Sequence, residues 1–282
     1  MSNFTPPAQL TAALLTWGDN KAHTGAGKLL LLGFLAGVYI GFAAHLATVV
    51  GTGAFAWVGL KKFVVGAVFS LGLMLVIIPG SELWTGNTLM SAALLQRRIS
   101  LQQMLYNWSL VYLGNLIGSI FLAWVIVANS GICDGGFGAT ALHIASAKVN
   151  ATVAGHSHNA AYFWRAVCCN WLVCLAVLQA MAAQDIGGKV LGIFFPIMAF
   201  VASGFEHAIA NMYFIPAGIF AKSLPAALDK AALSGVALDN INWFSMWSNN
   251  LLAVTAGNFI GGAMFVGAVY WWIYARNLSD LP

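Results

Sequence analysis

Between Leu29 and Val50 the sequence contains no Asp, Glu, Lys or Arg. A run of that length has one natural home, because a helix of roughly 20 apolar residues is what crosses the hydrocarbon core of a bilayer. Tyr106–Ala128, Tyr162–Ala183 and Asn250–Ala275 are further runs of this kind. Two others, Phe63–Leu95 and Val190–Ala221, are too long for one straight crossing. They are interrupted by Gly80-Ser81-Glu82-Leu83-Trp84-Thr85-Gly86-Asn87 and by Ser203-Gly204-Phe205-Glu206-His207-Ala208-Ile209-Ala210-Asn211. The sequence predicts an all-α membrane protein with six transmembrane helices, the second and fifth broken. Composition agrees, since only 7% of residues are charged, where soluble domains carry about 25%. The basic residues are scattered and form no stripe for nucleic acid. Cys133, Cys168, Cys169 and Cys174 contain no CxxC and make no disulfide framework. The partner this chain demands is the lipid bilayer.

The two interruptions match each other. Gly-x-Glu-x4-Asn occurs at Gly80, Glu82 and Asn87 and again at Gly204, Glu206 and Asn211. The third helix of each half carries a second matched string, Gly114-Asn115-Leu116-Ile117-Gly118 against Gly257-Asn258-Phe259-Ile260-Gly261. An odd number of helices per half inverts the second half relative to the first. Such inverted 3+3 repeats place a binding site near the bilayer midplane, where the two breaks face each other. The chain divides into an N-terminal segment (1–27), a six-helix transmembrane domain (28–276) and a short tail (277–282). Within the domain, repeat one (28–128) and repeat two (161–276) flank a connection at 129–160. The first segment is too polar for the apolar core of a secretory leader. Leu10, Leu14 and Trp17 fall at helical spacing, which suggests a short helix lying on the membrane or capping a neighbouring subunit. In the connection, Ala139–Val153 reads as a short helix or a re-entrant piece. Basic residues divide six against six between the two sides, so charge bias assigns no orientation.

With so few charges, each one at membrane depth asks for a role. Glu82 and Glu206 are expected to accept hydrogen bonds from backbone amides freed at the start of the following half-helix, with a proton relay as the alternative. Asn87 and Asn211 read as amide brackets for the ends of the half-helices. His207 lies in the second break, opposite the loop with Thr85. Imidazole can donate to an anion and exchange a proton near neutral pH, which favours a pore role over a merely hydrogen-bonded core histidine. Lys148 either snorkels to the interface or points into a vestibule and attracts anions, helped by half-helix N-termini. Phe69, Leu73 and Phe200 lie on the half-helices leading to the breaks; periodicity leaves open whether they face lipid, core or a greasy constriction. Gly33, Gly37 and Gly41, and Gly257 with Gly261, permit close helix contact. His156-x-His158 lacks nearby carboxylates and reads as a solvated loop rather than a metal site. His45 has only His207 to pair with as a haem ligand. No Ser-His-Asp set, HExxH or P-loop is visible. We therefore expect no catalytic residues, no metal and no cofactor, with an intramembrane redox subunit or enzyme, and a structural scaffold, as the competing classes.

The two interruptions, in this order, resemble the signatures of the formate/nitrite transporter family. Lys61-Lys62-Phe63 leading into Phe69-Ser70-Leu71-Gly72-Leu73, and Asn170-Trp171-Leu172-Val173-Cys174-Leu175-Ala176, are similar to it as well. The resemblance implies an aquaporin-like protomer with its own pore, a homopentamer, and both termini on the cytoplasmic side of the cell (inner) membrane. By position it implies that Thr85 sits on a flexible loop facing His207, that Lys148 is a vestibule lysine, and that Asn170 and Val173 line a central chamber. Phe69, Leu73 and Phe200 match constriction residues, and Trp84, counted with them, stands where the commonest family loop has Phe, a departure that bears on the bulk of the gate and the dynamics of the loop. Asn211-Met212-Tyr213-Phe214-Ile215-Pro216-Ala217-Gly218 looks more like the formate and hydrosulfide branches than the nitrite branch. Passage of small monovalent anions or their conjugate acids is implied, formate first, with nitrite or hydrosulfide as alternatives.

Overall fold

Every apolar run becomes a helix, and both polar interruptions become breaks. A computed structural model describes residues 4–150 and 158–277. In chain order, α1 is Pro7–Ala22, α2 Ala26–Gly51, α3 Val58–Ile77, α4 residues 84–95, α5 Leu101–Asn129 and α6 Gly136–Val149. Then come α7 His158–Ala182, α8 Ile186–Ala202, α9 Ala208–Ala221, α10 Pro225–Leu233 and α11 Trp243–Ala275. Five of these, α2, α3, α5, α7 and α11, are each long and apolar enough to cross a membrane. The shorter α8 and α9 form the broken fifth crossing, as α3 and α4 form the broken second.

The breaks are tighter than the sequence suggests. Trp84 and Ala208 already begin α4 and α9, because a third-helix asparagine caps each start. Asn115 Oδ1 accepts from the Trp84 amide at 2.9 Å, and Asn258 Oδ1 from the Ala208 amide at 2.8 Å. At each break one glycine turns the chain through the left-handed region, Gly80 at φ 91° and Gly204 at φ 74°. Only glycine adopts that conformation without strain.

The same asparagines lie on helices that pack backbone to backbone. A Cβ on Gly118 of α5 would run into the Phe34 carbonyl of α2, and one on Gly261 of α11 into the Val167 carbonyl of α7. Gly118→Ala is therefore expected to push α2 and α5 apart at a cost of about 1–3 kcal/mol. Gly27→Ala, where nothing lies within 4 Å, is the control. Thermal unfolding in detergent tests this, and equal melting of the two variants would refute the contact.

Two elements add to the expectation. α1 buries Leu10, Leu14 and Leu15 against Leu89, Ala92, Val177 and Leu178 of its own protomer. Each buried leucine contributes about 1.5–3 kcal/mol, and the Thr5 amide adds a bond to the Ala182 carbonyl. α10, which the sequence reading does not foresee, packs on α6 through buried Ala227 and Ala231. The piece at 139–153 is α6, which begins at Gly136; its last expected residues, and His156, lie outside the described residues.

Candidate functional site

The breaks are held by two matching hydrogen-bond networks. In repeat one, Lys21 Nζ donates to Glu82 Oε1 at 2.5 Å. Asn87 Nδ2 donates to Glu82 Oε2 at 2.7 Å and to Asn107 Oδ1 at 2.8 Å, and Asn107 Nδ2 returns to the Lys21 carbonyl at 3.1 Å. In repeat two, Lys148 Nζ donates to both Glu206 oxygens at 2.9 and 2.8 Å. Asn211 Nδ2 bonds Glu206 Oε2 at 2.7 Å and Asn250 Oδ1 at 2.8 Å, and Asn250 Nδ2 closes the ring on the Lys148 carbonyl at 3.0 Å. α1 and α6 thus play equivalent parts, each delivering a lysine to its repeat's glutamate.

This corrects the expected role of both carboxylates. Glu82 and Glu206 bond lysine and asparagine side chains, while Asn115 and Asn258 hold the backbone of each break. Asn115 Nδ2 reaches the Glu82 carbonyl at 2.9 Å, and Asn258 Nδ2 the Glu206 carbonyl at 2.9 Å. Asn87 and Asn211, read as brackets for helix ends, instead join each glutamate to the third helix.

Each network walls a vestibule. The first, about 450 Å³, holds Lys21 and Glu82 together with Lys28 and Lys189. The second, about 320 Å³, holds Lys148 and Glu206 together with Lys62, His143 and Arg165. Between them lies a chamber of about 10 Å³, scarcely room for one water molecule. Its walls pair up across the repeat: Ile40 with Val173, Leu73 with Ile197, and Leu83 with His207, completed by Phe69 and Phe200. The two phenylalanine rings meet edge to face at 5.9 Å. Seven apolar side chains and one imidazole make up this lining.

His207 is fixed at both nitrogens. It is the N-cap of α9, with Nδ1 accepting from the Ala210 amide at 3.1 Å. That bond leaves the proton on Nε2, which donates to Thr85 Oγ1 at 2.9 Å. Behind Thr85, its carbonyl accepts from Thr88 Oγ1 at 2.6 Å and Asn170 Nδ2 at 3.1 Å, and Asn170 also bonds the Asn258 carbonyl at 2.7 Å.

The structure therefore brings His207, Thr85, Asn170 and Val173 together, with Phe69, Leu73 and Phe200 around them. Asn170 braces Thr85 from behind instead of standing on the chamber wall. Trp84 is not at the constriction: its ring lies 6.3 Å from that of Trp108 and 5.3 Å from that of Tyr112, and Leu83 takes the wall position. Thr85 belongs to the first turn of α4, not to a loop. Lys148 turns inward to Glu206 and does not snorkel. His45 is half-buried on α2 and lines neither vestibule nor chamber, and His158 begins α7. Lys21 was missed, although a signal existed: it precedes Glu82 by 61 residues, much as Lys148 precedes Glu206 by 58.

Two charged vestibules meeting at a greasy, nearly closed waist, inside an inverted repeat of membrane helices, define a membrane pore for small solutes. The family profile described as formate/nitrite transporter matches residues 8–272. The chain belongs to the formate/nitrite transporter family. A "probable formate transporter" of Methanothermobacter thermautotrophicus is 43% identical, over 98% of this chain and 99% of its own. Formate channel FocA of Escherichia coli (strain K12) is 35% identical, over 96% and 95%. Among solved structures, an "FNT family ion channel" is similar at TM-score 0.79 with 30% identity, covering 94% of this chain and 98% of that one. A "pentameric formate channel with formate bound" is similar at TM-score 0.75 with 38% identity, over 88% and 97%.

Proposed function

We propose that the chain forms a homopentamer in the cytoplasmic (inner) membrane, both termini cytoplasmic, in which each protomer passes formate through its own pore as the conjugate acid. The names of its relatives support formate and the pentamer. The chamber carries the mechanism, because it offers a carboxylate apolar walls and a single imidazole whose N–H is already shared with Thr85. Stripping a bare carboxylate of its water there costs several kcal/mol or more. Formic acid, neutral and hydrogen-bonding, avoids most of that cost.

Anions collect in the vestibules, where Lys148 and Lys21 are neutralised by their glutamates. The attraction comes from the further basic residues, Lys62 and Arg165 on one side and Lys28 and Lys189 on the other. The anion takes a proton from vestibule water. The acid passes Phe69, Leu73 and Phe200, is held by His207 and Thr85, and ionises again beyond. His207 acts as a donor here, since placing a proton on Nδ1 would release the Ala210 amide and uncap α9.

Labelled formate uptake into proteoliposomes tests the reading. An inwardly directed proton gradient is expected to speed uptake several-fold, and currents indifferent to pH would instead mean conduction of the bare anion. Nitrite and hydrosulfide, run in the same vesicles, rank the alternatives.

A further inference from the structure

Three of the four arginines lie at the end of the protein where α4 and α11 finish: Arg97, Arg98 and Arg276. Helix α4 ends in a paired-bond cap, the Arg98 amide reaching the Ala93 carbonyl at 3.0 Å and the Arg97 amide the Leu94 carbonyl at 2.9 Å. That cap demands a left-handed residue, a place helices usually give to glycine. Here it is Arg97, at φ 60° and with its side chain exposed. Outside glycine such conformations are uncommon and carry strain. A strained cationic residue where glycine serves the fold better points to a use for the charge.

Its surroundings indicate which. Gln96, next in the chain, accepts from Trp271 Nε1 at 2.6 Å, which ties the end of α4 to the end of α11. Arg276 stacks over Trp272 at 4.1 Å, and Trp272 and Ile273 are exposed beside it. Arg98 turns away to bond Thr16 of α1. Among the described residues, no carboxylate pairs with Arg97 or Arg276. At the corresponding end of α9, Lys222 has ordinary helical geometry and directs its ammonium to the Leu238 and Ile241 carbonyls at 3.4 and 3.3 Å. Among the described residues, a left-handed, exposed cation closing a helix is thus peculiar to the end of α4.

We propose that Arg97 and Arg276, flanking the Gln96–Trp271 bond, bind the phosphodiester of an anionic phospholipid in the leaflet on the α1 side. Guanidinium suits this ligand because its planar fork bonds two phosphate oxygens at once. Exposed tryptophan and isoleucine next to Arg276 suit the level at which headgroup and acyl chain meet, which favours a lipid over a soluble phosphate.

The test uses the whole protein in phosphatidylcholine nanodiscs with and without phosphatidylglycerol, reading retained lipid by native mass spectrometry and melting temperature in parallel. Wild-type protein should retain phosphatidylglycerol and melt higher with it. Arg97→Gly and Arg276→Gln should each weaken retention about fivefold, and the double variant should abolish the rise in melting temperature. Glycine satisfies the cap, so Arg97→Gly should melt at or above wild type in pure phosphatidylcholine, with formate flux unchanged. Undiminished retention in the double variant overturns the proposal. So does lower melting of Arg97→Gly in phosphatidylcholine, or displacement of the lipid by inorganic phosphate at equal concentration.

Discussion

Replacing Lys148 with alanine is expected to cost on the order of 3–5 kcal/mol of stability and to suppress formate flux. The lysine grips both oxygens of Glu206, a residue only 4% exposed. Removing it leaves a buried carboxylate with, among the described residues, only Asn211 to bond, at the mouth of the pore, where its charge repels the incoming anion. The harm comes from the orphaned partner, so Lys148→Met combined with Glu206→Gln should recover most of the stability and part of the flux. Thermal unfolding and proteoliposome uptake on the single and double variants decide the matter; a double variant no better than Lys148→Ala would mean the ion pair itself is indispensable. Lys21 and Glu82 should give the same pattern from the opposite face, because their ring of bonds is the same.

His207→Phe is the second large effect, with flux expected to fall at least about tenfold because the chamber loses its single polar side chain, a loss comparable to one hydrogen bond to the permeant. The variant also deprives the Ala210 amide of its acceptor, which by itself costs about 0.5–2 kcal/mol as a lost N-cap. The two losses separate in His207→Asn. Asparagine is a good N-cap and should keep α9 stable, but its side chain is too short to hold Thr85 Oγ1, which the imidazole meets at 2.9 Å. Near-normal melting with depressed flux is the expected result for Asn. If both variants carry formate at the wild-type rate, the histidine serves the helix alone.

The breaks were legible because a polar string inside an apolar run has no other economical reading, and because it occurs twice. The partners of the breaks were not. Lys21 stands far from Glu82 in sequence, on a helix polar enough to look like a surface element, and only packing shows that α1 is the counterpart of α6. Asn115 and Asn258 were visible as markers of the repeat, yet their work as caps depends on how closely α2 meets α5 and α7 meets α11. The exchange of Trp84 for Leu83 on the chamber wall has a simple origin. One step along a helix turns a side chain by about 100°, so the residue that faces the pore depends on where α4 begins, and a neighbouring helix decides that. The constriction residues Phe69, Leu73 and Phe200 came from the family resemblance, since hydrophobic periodicity cannot separate a pore wall from a lipid face.

The matched networks have a consequence for direction. A permeant arriving at either mouth meets a lysine–glutamate–asparagine ring of the same composition, then a wall residue and its counterpart from the other half. Leu83 facing His207, and Phe69 with Phe200 standing outside the pairs, are the departures from this likeness. A barrier so nearly even-handed has little capacity to rectify. Entry and exit should proceed at similar rates under equal and opposite gradients, leaving the cell's supply and demand for the acid, not the protein, to choose which way it moves.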